Sequence, residues 1–310
     1  MTEQIVPTTV PYSSELMLRV LRRLVARYDF IRIESIGKSV AGSDLQVLQL
    51  GQGEKTLFVS AAHHANEWIT TPVVLKFVEE YADAIQQGTQ IAGLDAAALW
   101  QAVRLIVLPM VNPDGVDLVN GFFKGVLQEN AGFIAENYPA VPYPDGWKAN
   151  ILGTDLNLNY PAGWVKARRL KYAAGFVSPA PRDFVGFAPL SAPESRFLYE
   201  YTLRQDFSMI LAYHTQGNII YWKYNGYEPA HSLHIGELLA AASGYSLELT
   251  PEYSSYAGYK DWFIKNFDRP GYTIECGQGV SPLPLSDFDG IYEANRPLLA
   301  TAMHAVEQFL

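Results

Sequence analysis

Residues 55–62, Lys-Thr-Leu-Phe-Val-Ser-Ala-Ala, are apolar almost without alternation, and a strand of that kind has to be covered on both faces. Residues 104–111 and 207–214 repeat the pattern, and residues 271–275 give a shorter version of it. Between these runs the apolar residues return at helical spacing. Residues 13–28 carry Leu16, Leu18, Leu21, Leu24 and Val25 behind a serine, with Arg19, Arg22 and Arg23 between them, and predict a capped amphipathic helix. Residues 67–86 predict another, in which Pro72 is tolerated because it lies in or beside the first turn. Helices are also expected over 194–204, 231–242 and 291–310. Buried strands alternating with helices indicate an α/β fold around a mixed central sheet.

Residues 30–36 and 45–50 alternate in period two around Ala41-Gly42-Ser43 and predict a β-hairpin. Asn112-Pro113-Asp114-Gly115 is a strong turn signal closing the 104–111 strand, and it reads as architectural rather than catalytic. Residues 121–153, rich in Gly, Pro and aromatics, predict little regular structure, and residues 249–259 a polar, tyrosine-rich loop. There is no internal repeat, low-complexity segment or linker. The expectation is one domain, 1–310, with residues 1–29 as a helical lead-in.

An apolar fraction of 49% and a charged fraction of 18% belong to a globular chain rather than a disordered one. The net charge of −9 argues against nucleic acid, whose phosphates need clustered Lys and Arg. No apolar run reaches the roughly 18 residues of a membrane span, so no membrane partner is expected. The opening Met1-Thr2-Glu3-Gln4-Ile5-Val6-Pro7 lacks a basic segment followed by an apolar one and does not read as a signal peptide. The single Cys276 rules out an internal disulfide and suits a reducing compartment. A cytoplasmic location is the expectation; the oligomeric state is not legible.

Three expected strands end in groups with chemistry to offer: His64 just beyond 55–62, His214 closing 207–214, and Glu275 closing 271–275. In open α/β sheets ligands bind at the carboxyl ends of strands, so the coincidence carries more weight than any one residue. His64 and Glu67 stand three apart, and two imidazoles with one carboxylate and an open position form the ligand set of a catalytic zinc.

In order along the chain, His64-Ala65-Asn66-Glu67-Trp68-Ile69, Asn112-Pro113-Asp114-Gly115, Gly153-Thr154-Asp155-Leu156-Asn157, His214 and Tyr272-Thr273-Ile274-Glu275 resemble the zinc carboxypeptidase family. The resemblance runs from about Ser35 to the C-terminus. It implies a three-layer α/β/α fold with a mixed, mainly parallel sheet, and one Zn2+ per chain held by His64, Glu67 and His214. That ligand set is the one known from carboxypeptidase A; its placement on these residues is what the resemblance adds. It also implies Glu275 as general base and then acid, Lys148 where the family has an oxyanion-stabilising arginine, and Asp155 as a partner orienting a zinc-bound imidazole. Tyr253, eight residues before Asp261-Trp262, matches a tyrosine that closes over substrate, although Tyr256 and Tyr259 share its loop.

Two departures bear on substrate. Exopeptidases of the family read Asn-Arg where this chain has Asn157-Leu158, and carry another arginine where it has Asn66. Leucine cannot fork onto a terminal carboxylate as arginine does. The pattern from Trp147-Lys148-Ala149-Asn150 to Asp155-Leu156-Asn157-Leu158-Asn159-Tyr160-Pro161 is similar to bacterial γ-D-glutamyl-diamino acid peptidases. This implies cleavage of the bond between γ-D-Glu and diaminopimelate or lysine, with a peptidoglycan-derived peptide as substrate. The alternatives are a metallocarboxypeptidase whose clamp comes from another loop, and a non-catalytic muropeptide-binding relative. His63 is read as packed away from the metal, Cys276 as a buried strand residue, and His231, His234 and His304 as surface or capping groups. Arg168, Arg169 and Arg182 are candidates to meet substrate carboxylates, with a solvated face as the default expectation.

Overall fold

The computed structural model describes residues 4–310, so the first three residues of the expected lead-in lie outside it. The chain runs α1 (Ser14–Arg27), β1 (Arg32–Lys38), β2 (Asp44–Leu50), β3 (Lys55–Ser60), α2 (Thr70–Gln87), β4 (Gln90–Ile91), β5 (Leu94–Asp95), α3 (Ala96–Ala102), β6 (Val103–Leu108), α4 (Pro113–Val119) and α5 (Val126–Glu136). It continues through α6 (Trp164–Ala173), α7 (Pro193–Leu203), β7 (Met209–His214), β8 (Ile219–Tyr221), α8 (Ser232–Ser243), β9 (Ser246–Glu248), α9 (Tyr259–Phe267), β10 (Gly271–Glu275) and α10 (Phe288–Phe309). Eight strands form one sheet in the order β1-β2-β6-β3-β7-β10-β8-β9, while β4 and β5 make a separate small ribbon. The four central strands β6, β3, β7 and β10 are mutually parallel, and antiparallel pairs flank them, so the sheet is mixed around a parallel centre.

Strand alternation sorts side chains into two cores. Leu57 and Val59 of β3, with Met209, Leu211 and Tyr213 of β7, face a core closed by α1, α2, α8 and α10. Phe58, Ile210 and Ala212 face the opposite core under α6, α7 and α9. The same alternation carries His214 onto the second face, next in line after Ala212. On β10, Tyr272 and Ile274 enter the first core, so Thr273 and Glu275 stand on the second face too. The register sets Glu275 directly beside His214. The reactive strand ends therefore share one face and one edge of the sheet.

Several expected boundaries shift for local reasons. The 67–86 helix begins later, at Thr70, after a separate 3-10 turn over Ala65–Glu67. Thr70 Oγ1 donates to Glu67 O at 2.8 Å and accepts from Ala62 N at 3.0 Å, a side chain taking over backbone bonding. The Asn112-Pro113-Asp114-Gly115 segment starts a helix instead of a simple turn. Asn112 accepts from Gly115 N as the cap, and Pro113 occupies the first turn, where its missing N–H costs nothing. Asp114 accepts from Ser39 Oγ (2.7 Å), Ala41 N (2.8 Å) and Ser43 Oγ (3.1 Å), fastening the β1–β2 turn to α4. Residues 121–153 hold a helix after all: α5 buries only Ala131 and Ala135, leaving its apolar signal weak. Helices α3, α6 and α9 and the short β8 and β9 are further elements beyond the sequence expectation.

Phe58 anchors the second core. It is fully buried, stacked on Phe207 at 4.5 Å and edge-on to Tyr259 at 6.0 Å. Phe58→Ala is expected to cost about 3–5 kcal/mol by cavity formation. Urea unfolding reads this as a lower midpoint with an unchanged slope; a loss under about 1 kcal/mol would mean that the core collapses into the space.

Candidate metal centre

Three segments converge beyond the carboxyl ends of β3, β7 and β10. His64 precedes the 3-10 turn that carries Glu67, and His214 is the last residue of β7. Glu67 is the centre of the cluster. Its Oε1 lies 2.9 Å from His64 Nδ1, and its Oε2 lies 2.9 Å from His214 Nδ1. The two Nδ1 atoms approach each other at 3.2 Å. One ligand atom from each of the three residues lies within 4.8 Å of the others.

The chemistry of this donor set tests whether a metal fits. Two imidazole nitrogens facing each other beside a carboxylate concentrate lone pairs on one point, which a divalent cation satisfies and a proton serves poorly. Burial alone would keep His64 neutral, yet Glu67 and Asp155 outweigh it and push its imidazole up to about 9: the surroundings call for positive charge there. Burial opposes charge on Glu67 as well, but His64 and Lys148 hold its carboxyl well below the usual range. Two nitrogens and one carboxylate oxygen, with a cleft on the remaining side, suit zinc.

Asp155 stands behind His64. Its Oδ1 lies 3.2 Å from His64 Nε2, and its Oδ2 accepts from Asp183 N at 3.1 Å. A proton held on Nε2 by this carboxylate leaves the Nδ1 lone pair facing the centre. Lys148 reaches the same point from the loop after α5, donating to Glu67 Oε1 at 2.8 Å. That loop is pinned from below: Asn112 Nδ2 donates to Ala149 O (2.9 Å) and His63 O (3.3 Å), and Ala65 N donates to Lys148 O (3.0 Å). Glu275 lines the cleft beside them. Burial, then the charge of Glu67, pushes its carboxyl up, while Lys148 and His64 pull the other way.

The other expected residues fall around this centre as follows. Asn157 Oδ1 accepts from Tyr259 N at 3.0 Å and its Nδ2 lies 3.4 Å from His214 Nε2, while Leu158 forms cleft wall. Asn66 is buried in the wall of an adjoining hollow of about 540 Å³, its amide donating to Asp145 O and Ser281 O. Tyr253 is 43% exposed, with Lys171 Nζ 3.4 Å over its ring, and its neighbours Pro251 and Ser254 line the cleft. His63 is fully buried, its ring stacked between His214 and Tyr259 and its Nε2 3.4 Å from Tyr160 Oη. Cys276 is buried, His231 and His234 pack on Phe309, and His304 pairs with Glu307.

Arg182 keeps a partly solvated side chain, 42% exposed, but it borders the cleft. It lines both the cleft and the adjoining hollow, with Nε on Asp183 Oδ2 at 2.8 Å. Arg168, by contrast, lies over Trp164 and Tyr172. Sequence reading also passed over Lys171, Lys260 and Asp261, all buried and all lining the cleft. The available signal was a charged Lys260-Asp261 pair set directly against the apolar Trp262-Phe263-Ile264.

Residues 17–295 match the model of the zinc carboxypeptidase family. The chain is 41% identical over 283 residues to gamma-D-glutamyl-L-diamino acid endopeptidase 1 of Lysinibacillus sphaericus, covering 91% of this chain and 69% of that protein. Among solved structures it resembles thrombin activatable fibrinolysis inhibitor, with a TM-score of 0.77 at 16% identity, over 99% of this chain and 78% of that one. It also resembles carboxypeptidase A of Helicoverpa armigera, with a TM-score of 0.71 at 19% identity, over 99% and 76% of the two chains. At these identities the structural likenesses speak for the fold.

Two measurements check the centre. Purified protein is expected to carry one zinc by metal analysis, and His214→Ala to lose it. Asp155→Asn is expected to weaken zinc binding about 10–100-fold with the fold intact, the usual effect of removing a ligand's supporting partner. Unchanged affinity would separate Asp155 from the metal.

Proposed function

The chain belongs to the zinc carboxypeptidase family, and from that premise we propose that it hydrolyses the γ-D-glutamyl-diamino acid bond of peptidoglycan stem peptides or muropeptides. One observation carries the choice of substrate within the family. The cleft wall is Leu158 where exopeptidases present a carboxylate-binding arginine, and Asn66, the second such position, has its amide engaged by backbone carbonyls. The kinship with the Lysinibacillus enzyme, named for this bond, supports the same choice. Residues 1–310 are taken as one catalytic domain acting in the cytoplasm; limited proteolysis and cell fractionation test these two points.

His64, Glu67 and His214 would hold the zinc ion. Zinc in such a site lowers the pKa of a bound water and polarises a carbonyl. The residues of the chain supply the rest. Glu275, its carboxyl raised by burial and by Glu67, accepts the proton of the attacking water and returns it to the leaving amine. Lys148 brings its ammonium to the edge shared by cleft and hollow, where negative charge grows on the carbonyl oxygen. Asp155 fixes the His64 ring, and Asn157, held by Tyr259 N, borders His214. The adjoining hollow takes the acyl side, and Arg182, on the border of the two spaces, meets a substrate carboxylate.

Arg182 is also what favours a second reading. A guanidinium in the cleft from a different loop can clamp a terminal carboxylate, as an ordinary metallocarboxypeptidase requires. A γ-D-glutamyl tripeptide and an α-linked peptide, each with free and blocked C-terminus, separate the two. Cleavage confined to α-peptides with a free carboxylate would overturn the γ-D-glutamyl assignment. Glu275→Gln is expected to lower kcat by about 10²–10⁴-fold with zinc content unchanged. Full activity in that variant would remove Glu275 from the proton transfer.

A further inference from the structure

Glu194 lies in the first turn of α7, directly after Pro193, and is completely buried. Its Oε1 accepts from Val40 N and its Oε2 from Asn150 Nδ2, each at 3.1 Å, and its own backbone N–H adds a third bond. Among the described residues none of these bonds comes from a cation. A helix N-terminus favours negative charge, but a buried carboxylate without a counter-ion still carries a desolvation cost. A glutamine of the same shape would avoid that cost. It could not accept at both ends, however, because one end of its amide is a donor.

Asn150, also buried, organises the loop that joins Lys148 to Asp155. Its Oδ1 accepts from Thr154 N (3.0 Å) and Leu152 N (3.2 Å), while its backbone N donates to Thr154 O (2.8 Å) and its backbone O accepts from Gly153 N (2.9 Å). The remaining end of its side chain, Nδ2, ties this turn to Glu194. The start of α7 holds the far side as well. Ser195 Oγ donates to Leu156 O at 3.1 Å, and Ala192 N donates to Asn159 Oδ1 at 3.0 Å. Asp155 therefore lies between two points fixed to the first turn of α7, and Lys148 stands two residues before the nearer one.

We infer that Glu194 is a positioning residue whose negative charge seats the Asn150 turn and, through it, holds Lys148 and Asp155 toward the metal centre. Glu194 itself lines neither the cleft nor the hollow. The inference rests on the roles given above to Lys148 and Asp155, not on which peptide bond is cut. Burial, and to a smaller extent the charge of Asp114, push the Glu194 carboxyl up to about 7 against its three N–H bonds. The ionisable groups facing it are Asp114 of α4 and the Tyr160 hydroxyl. Above that pH the carboxylate accepts at both oxygens. As the pH falls through it, one oxygen gains a proton and turns a donor toward an N–H, so a tie is lost and the turn loosens.

The experiment compares zinc-loaded wild type, Glu194→Gln, Asn150→Asp and the double variant Glu194→Gln/Asn150→Asp near pH 6 and near pH 8.5. Asn150→Asp alone sets two carboxyls face to face, tied only while they share a proton. The double variant restores the tie with donor and acceptor exchanged: the new amide at 194 donates to the new carboxylate at 150, whose other oxygen still accepts from Leu152 N and Thr154 N. Near pH 8.5 each single variant is expected to lose at least about tenfold in kcat with KM within about threefold, and the double variant to recover to within about threefold of wild type. Near pH 6 both single variants are expected to lie within about threefold of wild type. Chelator competition reads the Asp155 side without turnover: near pH 8.5 the single variants are expected to bind zinc about threefold more weakly and the double variant to match wild type. No loss in the single variants, an equal loss at both pH values, or a double variant no better than the single ones overturns the inference and leaves Glu194 a helix cap. Should Glu194→Gln not fold, Asn150→Asp and the double variant carry the same comparison. Turnover is followed on whichever peptide, γ-D-glutamyl or α-linked, the wild type cuts, so failure of the γ-D-glutamyl reading leaves this test standing; if neither is cut, zinc affinity decides.

Discussion

A carboxylate sealed from water has to be surrounded by donors and positive charge, and Glu67 meets that requirement by drawing four groups from three segments. His64, His214, Lys148 and the Thr215 N–H all reach its two oxygens. At 1% exposure Glu67 has no other way to offset its burial. The constraint therefore runs outward from one side chain to the turn after β3, the end of β7 and the loop after α5. The cleft and the position of Glu275 follow from that convergence.

The sheet supplies most of the convergence, and a left-handed residue, Ala62 (φ 50°), turns the chain after β3. Parallel β7 and β10 end together at His214 and Glu275, β3 ends at Ser60 opposite Ala212, and period-two alternation delivers all three last residues to one face. Beyond β3 that alternation stops, and the two neighbouring histidines part company in the turn. His63 enters the aromatic layer with Tyr259 and Tyr160, where burial and the nearby imidazoles keep its ring neutral. His64 turns to the carboxylates.

Much of this was legible in the sequence because buried strands and their polar ends announce themselves. Residues 55–62, 207–214 and 271–275 gave the strands, and their ends gave His64, His214 and Glu275. What stayed hidden depended on tertiary burial. Lys260 and Asp261 look like an exposed helix turn in one dimension; only the packing of α9 against β7 and β10 buries them. Arg182 lies in a stretch without periodicity, so nothing local says that it borders a cleft. Helix α5 was missed for the reverse reason: it leaves Val126 and Phe133 exposed, and an apolar outer face blurs the pattern that marks a helix.

Asn112 bridges the backbone beside His64 and the backbone beside Lys148 with one amide, while its other end caps α4. The next acidic residue, Asp114, ties that same helical turn to the exposed β1–β2 bend. The ligand loop, the cationic loop and a distant surface bend are thereby fastened to a single rigid peg. Those bonds oppose displacement of one loop relative to the other. The two loops are thus held as one part, on a helix that packs against the turn carrying Glu67.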